Sequence, residues 1–569
     1  MKFKQIIIAG VILSISLFSC TKNFMDERNI ETDVNMTQLY TYYAFAQNAV
    51  TNLYSYLPDG FWTSLYMEGA TDNAEITDGS NKYQQFNSGG WSQLTNPDDV
   101  WSNYFTGIRN ANLYLANWTK VDIKYIQNGI TGTDSTAIYN ARLNVKYLRA
   151  QAIALKAYFY FELIKRYGGV PIIDIPLDYS QASSWKNLKR NTLDECVKYI
   201  STLCDTAAAI IPVTPPSWYE AGRLTNGAIL SLKSRLLLYA ASPAYAHKGT
   251  TTTWADAAKA GHDVIALGKY SLVAGSSYGN LFGSSNTTQT ELIFYKRYGS
   301  INTLEKANYP ISFDATNGNS LTPSQNLVDA FEVVTKSGST VTGSAPFDWN
   351  NPAHVASIYS NRDVRFAATV AYNGMTFNST TLQTFTGGTS GQPNTNATKT
   401  GYYLKKYINS GLDLTNNTSA NHSWVYFRYA EILLNYAEAM FNAYGESGNP
   451  FNDGKTALWA INQVRSRAGV YPVQTGQLTL AKIKSERRVE LCFEDHRFWD
   501  VRRWEEGATY FTQPIRRVEI TNTGTTALPV YSYVVKTLEN RTYDNTKMDW
   551  YPIPQDEISV TGWAQNTGW

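Results

Sequence analysis

Only four cysteines and five histidines occur in 569 residues. Cys196 and Cys204 lie eight positions apart on a stretch of helical pattern, about 12 Å along a helix axis, beyond disulfide reach. With Cys20 assigned to another role below, the remaining three cysteines read as buried apolar thiols, and no disulfide or zinc framework follows. The histidines fall at 247, 262, 354, 422 and 496, and none is spaced as a metal-binding pair. There is no His-Glu-x-x-His helix, no Gly-x-Ser-x-Gly elbow and no glycine-rich phosphate loop with lysine. Charge of either sign is not in excess, with 49 Lys and Arg against 47 Asp and Glu. That balance lacks the basic footprint of a nucleic-acid binder. After the first twenty residues no apolar run approaches the length needed to cross a bilayer.

Aromatic residues, by contrast, are abundant: 14% of the chain, with 40 Tyr and 15 Trp, nearly matching all charged residues at 17%. Tyr and Trp have a flat apolar body and a polar tip, which suits half-exposed surfaces that meet polar ligands as well as helix–helix contacts. The N-terminus carries Lys2 and Lys4, then an apolar stretch from Ile6 to Phe18. This reads as a signal peptide over residues 1–19. It ends in Leu17-Phe18-Ser19-Cys20, which resembles a bacterial lipobox, so Cys20 is expected to become the first mature residue and carry acyl chains. Removing residues 1–19 takes the formal charge from +2 to zero.

Helical periodicity dominates both ends of the chain. Leu148, Ala152, Leu155, Phe159 and Leu163 form an apolar stripe at three- and four-residue spacing, closed by Gly168-Gly169 and Pro171. Further helices are expected over about 35–55, 101–118, 192–211, 224–245, 254–267, 425–444, 454–468 and 480–504. Residues 58–99 and 270–420 are richer in Gly, Ser, Thr and Asn and carry only short β-like runs such as 292–295. The expected fold is mainly α, a scaffold of tetratricopeptide-like helix pairs bearing a long, irregular, loop-rich insertion. Binding usually lives on such loops.

Several segments carry a more specific signal: WSNYFTGIRNAN at 101–112, YLRA at 147–150, YFY at 158–160, and YGGVP at 167–171. There follow Gly222-Arg223, LYAASP at 238–243, NRDVRF at 361–366, GYYLKKY at 401–407, and FRYAEILLNYAEA at 427–439. The series closes with INQVRSRAG at 461–469, ERRVEL at 486–491, HRFWD at 496–500, Pro552-Ile553-Pro554 and Gln565-Asn566. In this order, across nearly the whole mature chain, they resemble the SusD/RagB family of outer-membrane nutrient-binding lipoproteins. The resemblance implies one SusD-like domain over 20–569. Within it lie a helical part over 20–270, a ligand-binding insertion over 271–420, a second helical part over 421–510 and an irregular C-terminal segment over 511–569. It also implies a surface-exposed, lipid-anchored protein that captures an oligosaccharide, or sometimes another nutrient, and closes it over a SusC-like TonB-dependent transporter, without catalysis; no cofactor is expected.

Most charged motif residues read as structural. Arg428, Glu431, Asn435 and Glu438, and then Glu486, Arg487, Glu490, Glu494 and Arg497, sit among apolar positions, where an unpaired charge is costly. An ion network is therefore expected. Candidate ligand residues come from the two loop windows. Trp91, in a Gly-Gly-Trp segment, is the leading stacking platform, and Asp72 is a candidate hydroxyl acceptor. Tyr298 and Tyr309 flank a polar loop. Arg365 either reaches the ligand or pairs with an acid such as Asp363. The alternative function is a surface glycoside hydrolase, because a carboxylate pair that meets only in the fold leaves no sequence motif. A third is an adhesive surface protein with no small ligand.

Overall fold

The computed structural model of the chain describes residues 36–123, 135–178, 180–181, 187–283, 286–313, 320–525 and 527–569. Cys20 and the leader segment lie outside the described residues. Helix outweighs strand, as the periodicity predicts. The principal helices are α1 (Tyr43–Leu53), α2 (Trp101–Asn117), α3 (Ser135–Tyr167), α4 (Leu193–Ala208), α5 (Asn226–Ala241) and α6 (Trp254–Ala266). After the insertion come α7 (Tyr429–Tyr444), α8 (Ala457–Arg467), α9 (Leu480–Leu491) and α10 (Arg497–Arg503). Each of α2 to α8 packs on its successor, the arrangement of stacked helix pairs.

Local chemistry sets the helix ends. Thr192 and Glu195 form a reciprocal capping box at the start of α4, and Thr253 and Asp256 do so at α6. α3 ends where Gly168 takes a left-handed conformation, φ 73°, followed by Pro171. The stripe residues of α3 are buried, but so are Ala150, Ala154, Tyr158 and Phe161 on its other faces. Its C-terminal half is surrounded by α1, α2, α4 and α5, which makes it the central post of the scaffold.

The insertion leaves and re-enters between two helices that touch, since α6 packs directly on α7. Its base is an antiparallel ladder of β2 (Leu292–Ile301) with β4 (Ala420–Arg428). Residues 425–428 are therefore strand rather than the expected first turn of α7. A second small ladder joins β1 (Ala74–Ile76) to β3 (Leu321–Pro323). The expected single helix over 480–504 is instead α9 and α10, separated by a corner where Phe493 and Asp495 adopt positive φ. The segment after 511 is not wholly irregular, because β5 (Ile515–Asn522) and β6 (Tyr531–Glu539) form a hairpin.

The corner after α9 is held by buried charge. Arg428 binds Glu490 at 2.6 Å, Glu494 at 2.6 Å and Glu291 at 2.8 Å. Arg365 binds Glu486 at 2.6 Å and Glu490 at 2.7 Å, and Lys406 binds Glu494 at 2.6 Å. Burial pushes the Glu490 carboxyl up, but Arg467, Arg428 and Arg365 outweigh it and hold it well below the usual carboxylate range. α7 is fixed likewise: Glu431 pairs with Arg235, Glu438 with Arg503, and Asn435 accepts from Arg487. The expected network is real, and its partners come mostly from remote segments rather than from neighbouring turns.

Candidate functional site

The two loop windows meet on one face. Residues Gly60–Ser64 form a single wide helical turn set against the β2–β4 ladder. Asp59 caps it: its Oδ1 accepts from Phe61 N–H at 3.2 Å and from Trp62 N–H at 3.3 Å. The Tyr298 hydroxyl donates to the same Oδ1 at 2.9 Å and accepts from Gly60 N–H at 3.1 Å. Tyr426 donates from its hydroxyl to Pro58 O at 2.7 Å. Gly60 lies so close to Trp424 that a Cβ would fall 1.9 Å from the indole Cγ, so only glycine permits this approach. Phe61 turns inward, with ring centroids 4.8 Å from Tyr298, 5.5 Å from Tyr407 and 5.7 Å from Trp424.

The next residue faces out. Trp62 is 38% exposed, a large value for tryptophan, and its ring is backed by Tyr66 at 6.2 Å with 24° between planes. On β2, Lys296 Nζ stands 5.2 Å over the half-buried Tyr298 ring. A supported indole on a turn capped by Asp59, with Thr63 the next residue of that turn, combines an apolar platform with polar groups of the same short segment. That is what a sugar ring requires, with C–H groups on its face and hydroxyls around its rim. Covering roughly 80–90 Å² of indole would contribute about 2 kcal/mol.

Of the residues singled out from sequence, Tyr298 is the one built into this face. Trp91 is not a platform: it is 3% exposed, with Trp569 at 4.4 Å, Phe86 at 4.9 Å and Tyr551 at 5.2 Å. The C-terminal segment covers it, and no ring face is left for a ligand. Asp72 is buried, bound to Arg497 at 2.8 Å and Arg488 at 2.9 Å. Burial alone would raise its carboxyl, but the two guanidinium groups bring it below its ordinary value, as in a structural ion pair. Arg365 pairs with Asp363 at 2.5 Å as well as with α9, so the ion-pair alternative describes it. Tyr309 is buried, with its hydroxyl bonded to the Asn409 carbonyl. Trp62 was missed from sequence; the available signal was the Pro58-Asp59-Gly60 turn directly before it. Among the described residues, no group of three or more His, Cys, Asp or Glu is placed to hold a metal ion.

Comparison with known proteins agrees with this architecture. A family model described as the SusD family matches residues 290–569, and one described as starch-binding associating with outer membrane matches residues 23–238. A SusD-like protein from Bacteroides fragilis is 25% identical, with TM-score 0.75 over 93% of this chain and 98% of that one. A SusD-like carbohydrate-binding protein from the same organism is 23% identical, with TM-score 0.71 over 92% and 99%. A laminarin-binding SusD-like protein is 19% identical, with TM-score 0.59 over 93% and 99%. The last two speak for the fold alone. Comparison with curated proteins returned no match. Among the described residues no helix is long and apolar enough to cross a membrane. With two models of one family matching nearly end to end and the same fold in solved relatives, the chain belongs to the SusD/RagB family.

Proposed function

We propose that this protein is a cell-surface lipoprotein that captures an oligosaccharide on the Trp62–Tyr298 face and delivers it to a SusC-like TonB-dependent transporter. The observation that carries the reading is Trp62 itself, an exposed indole on a turn locked by Asp59, Tyr298 and Trp424. A platform fixed before binding loses little conformational entropy when a sugar docks on it. The family description, starch binding in association with the outer membrane, supports the same reading. So does the named ligand of the laminarin-binding relative. Acyl chains on Cys20 would hold the body at the membrane, where stable anchoring needs more than one chain. The protein binds without cleaving.

Electrophoresis through gels containing a panel of polysaccharides, beside an assay for new reducing ends, tests this. Retardation by at least one glycan with no new ends supports capture. New reducing ends would support the hydrolase reading, and no retardation by any glycan would remove the carbohydrate assignment. Affinity purification from the native membrane should recover a large β-barrel with the protein, and its absence would remove the transporter partner.

A further inference from the structure

A cleft of about 380 Å³ lies between the C-terminal segment and the start of α4, built from none of the elements that carry Trp62 and Tyr298. Arg190 builds it. Its Nε donates to Gly169 O at 2.9 Å and its Nη1 to Ala564 O at 3.1 Å. Its Nη2 donates to Tyr167 O at 3.1 Å and to Asn566 Oδ1 at 2.9 Å. The guanidinium thus fastens residues 563–566 over the glycine pair that ends α3. All four acceptors are neutral, and they occupy four of its five N–H groups, leaving one on Nη1. The charge of this half-buried arginine is solvated by carbonyls but not neutralised by them.

Lys248, exposed at the end of the short helix Pro243–His247, lines the same cleft. The acid it acts on is Asp549, whose carboxyl already accepts from the Tyr543 hydroxyl at 2.6 Å. The start of α4 adds no anion site, because its capping box occupies the Thr192 hydroxyl with the Glu195 N–H and the Thr192 N–H with the Glu195 carboxylate. Two half-buried indoles complete the lining. Trp563 is oriented by its Nε1–H bond to Leu188 O at 2.9 Å. Trp550 packs edge-on against Tyr245 at 5.1 Å. Both rings are held by contacts outside the cleft, so their positions do not depend on a ligand.

We propose that this cleft is a second ligand site that accepts a uronic acid residue of a glycan, its C–H face on the indoles and its carboxylate directed to Lys248 and Arg190. A neutral sugar would gain the stacking but leave the Arg190 charge, which meets only neutral acceptors, without a counter-ion, so the site discriminates by charge. A carboxylate in direct contact with lysine adds ion–ion attraction to the hydrogen bond, which a neutral hydroxyl accepting from the same ammonium lacks.

The test uses calorimetric titration of the intact protein and of Trp62→Ala with a galacturonate tetrasaccharide and with the neutral galactose tetrasaccharide of the same linkage. The uronate should bind both proteins with equal affinity and more tightly than the neutral sugar. Lys248→Glu should weaken uronate binding by about tenfold or more, with an unchanged melting temperature. Unchanged uronate affinity in Lys248→Glu would overturn the proposal. Loss of all uronate binding in Trp62→Ala would also overturn it, while leaving capture on the Trp62 face intact. Persistence of uronate binding in a protein whose Trp62 face binds no glycan would support the cleft and refute the primary site.

Discussion

Trp91→Ala separates a packed tryptophan from a ligand platform. The indole is 3% exposed and meets Phe86, Tyr551 and Trp569 at centroid distances between 4.4 and 5.2 Å. Truncating a buried tryptophan to alanine costs about 3–5 kcal/mol in lost transfer energy and cavity formation. One term opposes this. Trp91 Nε1 is buried and has no hydrogen-bond partner, and deleting an unsatisfied donor returns about 1 kcal/mol or more. The net expectation is about 2–4 kcal/mol. An unfolding entropy of about 2.1 cal/mol/K per residue over a chain of 569 gives about 1.2 kcal/mol/K. If the chain unfolds as one unit, the melting temperature therefore falls by about 2–3 °C. Trp91→Phe keeps an aromatic ring in the cluster and removes the orphaned N–H, so it should cost less than half as much. Differential scanning calorimetry beside a glycan titration measures both quantities. The folded variant should bind glycan as the parent does. A variant that retained its melting temperature and lost affinity would place Trp91 at the ligand and refute the packing argument.

Arg428→Met leaves Glu291, Glu490 and Glu494 without their common cation, so it should destabilise the protein by about 3–5 kcal/mol or prevent folding. Lys259→Ala, which breaks an exposed i,i+4 pair with Asp263, should change stability by less than about 0.5 kcal/mol in the same denaturation assay. Burial raises the Glu68 carboxyl to about 7, despite hydrogen bonds from Asn73 and the Phe493 N–H. Its folded value exceeds its unfolded one, so the folded state retains a proton that the unfolded state has released, and stability falls as pH rises from about 4.5 to 7. Glu68→Gln should remove that slope, up to about 3 kcal/mol across the window, and an unchanged pH profile would show that Glu68 titrates normally. Cys20→Ala, expressed without the barrel partner, should release a folded protein from the membrane fraction, and persistent membrane association would contradict lipid anchoring.

Much of the scaffold was legible because helices announce themselves locally. The Leu148-to-Leu163 stripe and the Gly168-Gly169 stop both act within a few residues. The break after Leu491 was not, since Phe493 and Asp495 adopt positive φ at a corner where Glu494 pairs with Arg428 and Lys406 from far along the chain. The site was harder for the same reason. Trp91 follows Gly89 and Gly90, which read as an exposed loop. Gly89, at φ 71°, instead caps the short helix Gln84–Ser88, and the lid on Trp91 comes from Tyr551 and Trp569. Asp72 and Arg365 carry charges that promise a ligand in sequence and meet buried partners in the fold. Tyr298, expected to flank a polar loop after a short strand, lies instead on the longer strand Leu292–Ile301. Trp62 stands among Phe61, Leu65 and Tyr66, which are buried while Trp62 is exposed, a difference that their shared apolar character does not announce.

Calorimetric titration of the parent and of Trp62→Ala, with a glycan that retards the parent in affinity gels, tests the central claim most directly. The indole contributes about 2 kcal/mol when covered, so removing it should weaken binding by at least about tenfold. Trp62 is partly exposed and its turn is held by Asp59 and Tyr298, so the melting temperature should stay within about 1 °C of the parent. Tenfold weaker binding by a protein of undiminished stability is the predicted result. Unchanged affinity would contradict capture on this face.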